Sequence, residues 1–290
     1  MKCTLCPRGC GAERDGKTGA GFCRMPAGLR VARAALHHWE EPPISGKNGA
    51  GTVFFSGCTL RCAFCQNGVI SQENFGKPLS PAGLRAAFER LIDEGCQNIN
   101  LVTPTHFLPS ILPALTPKLP VPVVYNCGGY EKAETLRLLE GKVDVWLPDL
   151  KYSDGALARE LSGAEDYFPV ACDAIREMFR QTGRPIYDGN GLMRRGVIVR
   201  HLVLPGYLDN TRRVLDWLAE TFAPGDVAVS LMSQYTPPPH MTGRLARRVT
   251  AAEYRAAVAY MRNCGIEDGF VQERTSAEEA YTPAFDGTGV

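Results

Sequence analysis

The sequence has no long hydrophobic run and almost no net charge. No apolar stretch in its 290 residues approaches the length of a membrane span. Its 32 Lys and Arg nearly balance 31 Asp and Glu, for a formal net charge of +1. This balance gives no support for nucleic acid or an anionic membrane as a partner. Since the first residues also lack the apolar core of a signal peptide, we expect a cytoplasmic protein.

The composition is otherwise that of a globular domain of enzyme size, with 44% hydrophobic and 22% charged residues. Cysteine is the exception, because the chain has 11 and they are bunched rather than spread. A disulfide framework would need a secreted chain, whereas bunched cysteines in a reducing cytosol indicate thiolate metal ligands. The cysteines therefore indicate where a functional site lies.

The densest group of cysteines follows residues 51–55, a short β-branched and aromatic segment that predicts a buried strand. Residues 55–67, here called the cysteine loop, carry Cys58, Cys62 and Cys65. A [4Fe–4S] cluster normally takes four thiolates, so three would leave one iron open, as in a catalytic metal site. The alternative is that the three thiols are buried as small hydrophobic groups.

A second group of cysteines lies in residues 1–27, here called the N-terminal module. Its members are Cys3, Cys6, Cys10 and Cys23, set in a glycine-rich segment. A small module with little hydrophobic core needs a disulfide or a bound metal to stabilise its fold. The four cysteines therefore favour one tetrathiolate metal site over four free thiols. Zn²⁺ and a second iron–sulfur cluster both fit four thiolates, and a filled ligand set indicates a structural or electron-transferring role.

Strand and helix patterns alternate through residues 51–265, the predicted core domain. Residues 28–50 are a predicted connector and residues 266–290 a C-terminal tail. Six predicted strands separated by helices indicate βαβ units and a parallel sheet, either an incomplete barrel or an open doubly wound sheet. The tail is polar with two late aromatic residues, which indicates surface packing or a segment that docks a partner.

Polar residues follow the predicted strands, at the edge where parallel α/β proteins carry their chemistry. They are Thr103, Thr105, Asn126, Asp149, Lys151, Arg200 and Gln234. Each alone could be a loop residue or part of a surface ion pair. Together they predict one pocket for a zwitterionic ligand that bears a nucleoside, with Arg200 suited to a carboxylate and Asn126 to a ribose hydroxyl.

The motif Cys58-x-x-x-Cys62-x-Phe64-Cys65 resembles the cluster loop of the radical S-adenosylmethionine (SAM) superfamily. The rest of the chain resembles a pyruvate formate-lyase-activating-enzyme-like subfamily, and the resemblance covers nearly the whole chain. The segments that carry it include residues 3–8, 51–58, 98–106, 147–152, 197–201 and 230–235.

This resemblance implies a partial (β/α)6 barrel with a [4Fe–4S] cluster on the three cysteines and SAM bound to the open iron. It implies reductive cleavage of SAM to a 5′-deoxyadenosyl radical, which abstracts a hydrogen atom, in activating enzymes from a glycine of a partner protein. It implies a catalytic role for Cys58, Cys62, Cys65 and Lys151. The residues expected near SAM are Thr103, Thr105, Asn126, Asp149, Lys151, Arg200 and Gln234. Expected partners are a protein substrate, such as a glycyl radical enzyme, and a flavodoxin- or ferredoxin-like reductant.

The sequence departs from the family pattern at two places. Residues 103–106, Thr-Pro-Thr-His, replace a glycine-rich loop that binds the SAM amino group, and Gln234 stands where activating enzymes have histidine. Two alternatives to a protein-backbone substrate therefore remain. The first is a radical SAM enzyme for a small molecule or peptide, and the second is a non-catalytic iron–sulfur or zinc protein that carries electrons.

Overall fold

Parallel strands at the centre of one sheet position the candidate site. The computed structural model describes residues 2–15, 19–267, 269–271 and 283–290. The strands are β1 (Leu29–His37), β2 (Ala50–Phe55), β3 (Lys77–Leu79), β4 (Ile99–Val102), β5 (Val123–Cys127), β6 (Val145–Pro148), β7 (Ile186–Tyr187), β8 (Met193–Leu202), β9 (Ala228–Met232) and β10 (Gly269–Val271). The helices are α1 (Pro42–Ser45), α2 (Gly68–Ser71), α3 (Pro81–Asp93), α4 (Leu108–Ile111), α5 (Ala133–Arg137), α6 (Gly155–Ser162), α7 (Tyr167–Thr182), α8 (Leu208–Thr221) and α9 (Ala251–Asn263). Short 3₁₀ helices span Thr105–Phe107, Leu112–Leu115 and Gly243–Ala246.

Within the described residues, the strand order is β10-β9-β8-β6-β5-β4-β2-β1-β3, and β7 pairs with β8. Six strands run parallel to one another, namely β2, β4, β5, β6, β8 and β9, and β10 extends this parallel run. At the other edge β1 and β3 are antiparallel. The predicted alternation of six parallel strands with helices is confirmed, and the strand order leaves an open, partial barrel.

The connector predicted over residues 28–50 contains a strand that the sequence analysis did not identify. β1 pairs with β2 from Val31 opposite Phe55 to His37 opposite Ala50. Its residues Val31, Ala32 and Ala34 are all buried, so the segment lacks the polar and apolar alternation that reveals a strand. Part of the predicted connector therefore belongs to the sheet.

The rest of the connector fills the inner face of the sheet. Ile44 in α1 is fully buried and packs with Val124, Val145 and Ile198. Side chains alternate between the two faces of a strand, so these residues share a face with Asn126 and Arg200 further along the same strands. The connector thus closes one end of the barrel interior and brings its acidic residues inside.

The outer face of the sheet packs against the helices. This face carries the side chains of Tyr125, Trp146 and Val199, which alternate along the strands with the inward-facing residues. They lie in the large hydrophobic core. The helices follow their sequence signals at several ends: Ser80 caps α3, and Thr250 forms a capping box at the start of α9. None of the helices in the described ranges is long and apolar enough to cross a membrane.

The sequence pattern predicts that residues 154–182 are mostly helical, and this prediction is confirmed. The segment forms two helices, since α6 ends at Ser162 and α7 begins at Tyr167. Gly163 takes a left-handed conformation, with φ of 58°, and its N–H bonds to carbonyls of α6. Glycine adopts this conformation at little cost, so it ends the helix there.

The predicted tail falls partly outside the described residues, because residues 272–282 are among those not described.

Candidate active site

A cavity lies on the inner face of the sheet, at the carboxyl ends of the parallel strands. It contains most of the residues that the sequence analysis predicts for one pocket. These are Cys58, Cys62, Cys65, Thr103, Asn126, Asp149, Lys151, Arg200 and Gln234. Strand ends that are distant in sequence meet at this edge because the strands are parallel. The structure thus brings nine predicted residues together and leaves one out.

Thr105 is the predicted residue that lies elsewhere. It begins a 3₁₀ helix and is buried, with its Oγ1 at 2.8 Å from the hydroxyl of Tyr125. Because Tyr125 points to the outer face of the sheet, Thr105 packs in the outer core and not in the cavity. The neighbouring His106 is also buried, and its Nε2 lies 2.7 Å from the carbonyl oxygen of Ser56. These residues support the strand ends and do not line the cavity.

The cysteine loop turns sharply after β2 to point its thiols into the cavity. Gly57 has a φ of 78°, and a Cβ there would lie 2.3 Å from Cγ of Met25, so only glycine fits. The sulfur of Cys58 accepts a hydrogen bond from the N–H of Leu60 at 3.3 Å. The sulfur of Cys62 accepts one from the hydroxyl of Ser162 at 3.1 Å. The sulfurs therefore have fixed surroundings before any ligand binds.

Burial raises the pKa of Cys58 to about 12, and the neighbouring thiol of Cys62 adds to the effect. Burial likewise raises the pKa of Cys65. At neutral pH these thiols keep their protons unless a cation replaces them, which is how thiolate metal sites form. Three thiols in one loop, with Cys62 buried and the other two half-buried, fit such a site better than they fit a purely apolar core.

The geometry favours a cluster over a single ion. Among the residues that the structure describes, no three His, Cys, Asp or Glu side chains converge on a point that one metal ion could occupy. Thiolates on a [4Fe–4S] cluster bind different irons and so stand apart around it. The next cysteine along the chain, Cys96, lies beside Gly51 at the amino end of β2, away from the loop. The three loop cysteines fit a cluster with one iron left open.

A charged group lines the same cavity as the cysteine loop. Nε of Arg200 donates to Oδ1 of Asp149 at 3.0 Å, and Nζ of Lys151 donates to the other oxygen of Asp149. Burial opposes the charged form of Asp149, but the two cations outweigh it and hold the pKa of this carboxyl below its usual range. Asp149 therefore stays ionised and orients both cations.

Glu40 completes this group, and the sequence analysis did not identify it. Its Oε1 accepts from Nη1 of Arg200 at 2.8 Å, and its Oε2 accepts from Nδ2 of Asn126 at 2.8 Å and of Asn100 at 3.1 Å. Nη2 of Arg200 also donates to Oδ1 of Asn126 at 2.6 Å. The one signal in the sequence is the acidic pair Glu40-Glu41 before two prolines, which gives no hint of a position inside the barrel.

Two other buried carboxyls lie near the site. Glu41 accepts a hydrogen bond from the hydroxyl of Ser230 at 2.9 Å, and burial raises its pKa to about 7. Glu131 follows the turn after β5, and burial raises its pKa to about 8. The few polar contacts of these carboxyls do not offset the hydration that the charged form loses on burial. Both carboxyls therefore favour the protonated form.

Backbone and amide groups form the rest of the cavity wall. Thr103 has a φ of 58°, and its N–H bonds to the carbonyl of Asn126 at 2.8 Å, which joins the ends of β4 and β5. The carbonyl of Gln234 accepts from the side-chain amide of Gln66 at 3.0 Å, which ties the end of β9 to the cysteine loop. Both predicted residues therefore line the cavity through contacts that join neighbouring segments.

The four cysteines of the N-terminal module differ in exposure, and within the described residues no three of them converge on one metal position. Cys10 is exposed and Cys23 is buried, while Cys3 and Cys6 are intermediate. Burial, the carboxyl of Glu131 and the thiol of Cys23 raise the pKa of Cys6 to about 12. The four cysteines fit a thiolate site by their chemistry, and the choice between zinc and a second cluster stays a prediction.

Comparison with known proteins places this fold among solved structures. No protein-family model matches the chain. An uncharacterised protein of Methanocaldococcus jannaschii is 32% identical over 246 residues, which cover 81% of this chain and 66% of that protein. The chain thus spans a little under two thirds of the length of this relative.

Two solved proteins share the architecture at low sequence identity. SuiB of Streptococcus suis, in its complex with the precursor peptide SuiA, aligns with a TM-score of 0.53, 13% identity, and 75% of this chain against 47% of SuiB. SuiB bound to S-adenosylmethionine aligns with a TM-score of 0.52, covering 79% of this chain and 52% of SuiB. Methylornithine synthase aligns with a TM-score of 0.51, 14% identity, and 83% of this chain against 72% of the synthase. The chain therefore has the partial (β/α)6 barrel fold of the radical SAM type.

Proposed function

We propose that this protein is a radical SAM enzyme that holds a [4Fe–4S] cluster on Cys58, Cys62 and Cys65. One observation carries the proposal. Three thiols, one buried and two half-buried, with no fourth cysteine from their loop, share a cavity with the paired charges of Asp149 and Arg200. Such a cavity suits a cluster with one open iron and a zwitterionic ligand beside it.

The chemistry would come from the bound groups, and the protein would orient them. When bound, the reduced cluster supplies one electron that splits SAM into methionine and a 5′-deoxyadenosyl radical, which takes a hydrogen atom from the substrate. The three cysteines would bind the cluster, and the remaining cavity residues would hold the ligand and exclude water. Cys58, Cys62, Cys65 and Lys151 are the residues to which we assign the catalytic roles.

The charges of the cavity match a zwitterion. Arg200 and Lys151 contribute two positive charges, and Asp149 and Glu40 balance them with two negative ones. A buried group of this kind accepts a ligand that carries charges of both signs without leaving a net charge unpaired. Lys151 has three N–H donors and gives one to Asp149, so it can also donate to a ligand carboxylate.

Arg200 and Asn126 have a different role in this proposal. Asp149, Glu40 and Asn126 each accept from a different nitrogen of the Arg200 guanidinium, so the group is fixed in place before a ligand arrives. A fixed cation and an oriented amide cost little reorganisation when a ligand binds. We assign SAM binding to Thr103, Asn126, Asp149, Lys151, Arg200 and Gln234.

For the hydrogen donor we favour a peptide or protein backbone. SuiB, which has the same fold, was crystallised with its precursor peptide and with S-adenosylmethionine. Trp39 is one of the residues that line the cavity, and 61% of its surface is exposed. A glycyl radical enzyme is one candidate protein, as for the activating enzymes that the chain resembles. A small-molecule substrate is the second candidate, since methylornithine synthase also has this fold.

The electron would come from a flavodoxin- or ferredoxin-like protein. Thiolate ligands need a reducing compartment, so we place the protein in the cytoplasm. A non-catalytic electron carrier is less well supported, because such a protein needs no ligand pocket. The ion pairs of Arg200 with Glu40 and Asp149 in the cavity would then have no ligand to bind.

SAM cleavage tests the function directly. The chain is reconstituted anaerobically with iron and sulfide, reduced with dithionite and incubated with SAM, and 5′-deoxyadenosine is measured by chromatography. Cys62→Ala should lose the iron of the loop and the product, whereas Cys172→Ala, in the buried part of α7, should keep both. A parent protein that holds four irons in the loop but releases no 5′-deoxyadenosine would overturn the proposal.

The substrate class can be separated in the same assay. Peptides and protein extracts labelled with deuterated glycine are compared with deuterated metabolite pools. A backbone substrate should transfer deuterium into 5′-deoxyadenosine from the peptides alone. Transfer from the metabolites alone would assign the enzyme to the small-molecule class.

A further inference from the structure

The N-terminal module packs directly against the cysteine loop. The carbonyl of Cys23 and the side chain of Met25 lie so close to Gly57 that a Cβ there would come within 2.9 Å of both. Arg14 donates to the carbonyl of Met25 at 3.0 Å and to that of His106 at 2.6 Å. His106 in turn contacts the carbonyl of Ser56 at the start of the loop. The module therefore supports the point where the chain leaves β2.

Arg8 makes the most extensive contact between the module and the loop. Its Nε donates to the carbonyl of Thr59 at 2.7 Å, in the middle of the cysteine loop. Its Nη2 donates to the carbonyl of Ser162 at 2.5 Å, and its Nη1 donates to that of Gly163. The guanidinium also stacks on the ring of Phe22, with 3.8 Å from its central carbon to the ring centre. Only a planar group with several donors can satisfy this set.

The carbonyls that Arg8 binds belong to a helix end. Ser162 is the last residue of α6 and Gly163 follows it, so their carbonyls have no partner within the helix. A positive charge at the carboxyl end of a helix is also favourable. The hydroxyl of Ser162 donates to the sulfur of Cys62 at 3.1 Å. Arg8 thus holds in place the residue that hydrogen-bonds to a proposed cluster ligand.

We propose that Arg8 is a positioning residue for the cysteine loop and joins it to the N-terminal module and to α6. It acts through Thr59 and through the hydrogen bond from Ser162 to Cys62, because hydrogen bonds to ligand sulfurs tune an iron–sulfur cluster. In this proposal the N-terminal module helps to position the cysteine loop of the candidate site. The effect on a cluster rests on the proposed function, whereas the effect on the loop in the metal-free chain does not.

The test compares Arg8→Lys with Arg24→Lys, an exposed arginine of the same module, in the full-length protein. The reporter is the amide of Ala63, which donates to the carbonyl of Leu161 at 2.8 Å between the loop and α6. In the metal-free Arg8→Lys protein, hydrogen exchange at the Ala63 amide should be about tenfold faster than in the parent. The single ammonium of lysine cannot replace the several N–H donors of the guanidinium, so the loop is held less firmly against α6. Arg24→Lys should exchange at the rate of the parent.

A second readout uses the reconstituted protein. The electron paramagnetic resonance signal of the reduced cluster should change in Arg8→Lys and also in Ser162→Ala, which removes only the hydroxyl. Urea unfolding of each variant separates this positioning effect from a loss of overall stability. Unchanged exchange at Ala63 and an unchanged signal in Arg8→Lys would overturn the proposal. If the parent binds no cluster, the proposed function fails, and exchange in the metal-free chain still decides the role of Arg8.

Discussion

Glu40 and Arg200 are 160 residues apart in the chain, and their side chains meet inside the barrel with 2.8 Å between Oε1 and Nη1. The same carboxylate accepts from Asn100 and Asn126. One acidic residue from the connector therefore orients a cation of β8 and two amides of β4 and β5. Removing it affects three strands at once.

The first prediction concerns this carboxylate. Glu40→Gln should lower the free energy of unfolding by about 2 kcal/mol, because Arg200 loses one of its carboxylates and a buried amide donor loses its acceptor. Urea denaturation of the metal-free chain measures the change. The matched control is Glu94→Gln in the exposed pair with Arg90, four residues earlier, which should cost no more than about 0.5 kcal/mol. Equal stability of the two variants would contradict the role of Glu40.

The second prediction separates the binding of the ligand from that of the cluster. Arg200→Lys should weaken SAM binding by about tenfold or more, because a single ammonium cannot satisfy Asp149, Glu40 and Asn126 together. The iron content should stay at the parent level, since the guanidinium of Arg200 donates to Asp149, Glu40 and Asn126 and not to the loop cysteines. Anaerobic equilibrium binding of SAM and an iron assay measure the two effects.

The control for this variant lies on the same strand. Arg195→Lys changes an exposed arginine of β8 that donates to the carbonyl of Gln181. It should leave both SAM affinity and iron content unchanged. Loss of iron in Arg200→Lys, or unchanged SAM affinity, would count against the assigned site.

The third prediction follows from the raised pKa of a buried carboxyl. Burial raises the pKa of Glu131 from 4.5 to about 8, so the folded state favours its protonated form. The resulting stability is fully present below about pH 4.5, where the unfolded chain is protonated as well, and is lost as pH rises through about 8. One such group contributes at most about 1.4 kcal/mol per pH unit.

Glu131→Gln should therefore reduce the fall in stability between pH 5 and pH 8, as measured by urea denaturation across about that range. Burial raises the pKa of Glu41 to about 7, so part of the fall should remain in this variant. Adding Glu41→Gln should remove more of it. A slope that neither substitution changes would show that these carboxyls are solvated in solution.

The fourth prediction isolates the N-terminal module. Replacing Cys58, Cys62 and Cys65 together with serine should abolish the iron of the cysteine loop but leave metal bound to the module. Metal analysis should then find about one zinc per chain, or about four irons with sulfide if the module holds a second cluster. Further replacement of the exposed Cys10 with serine should weaken the binding of this remaining metal. A metal-free triple variant would show that the four cysteines bind nothing on their own.

Local sequence was enough to predict much of the site. The spacing of Cys58, Cys62 and Cys65 after an apolar strand is a short-range pattern, and so is the alternation of strands and helices. Since parallel strands carry their functional residues at one edge, Asp149 and Arg200 could be placed in the same cavity without a structure. Signals for the start of a helix are equally local, as at Ser80, where a capping residue followed by proline predicts a helix and α3 begins.

Thr105 shows where this reasoning reaches its limit. It stands three residues after β4, and this position alone predicts that it lines the cavity. The 3₁₀ turn that it begins directs its side chain to Tyr125 in the outer core. Which way a loop residue points depends on the turn and on the packing beneath it, and neither follows from distance along the sequence.

The class of fold, the thiols of the cysteine loop and most of the charged residues in the cavity could be predicted from the sequence, because each follows from a local pattern repeated along the chain. Tertiary packing was needed to show that Glu40 lies inside the barrel and that Arg8 reaches Gly163, 155 residues away. Both contacts depend on how separate segments pack, since a polar side chain in a connector has no periodic pattern to reveal its partner.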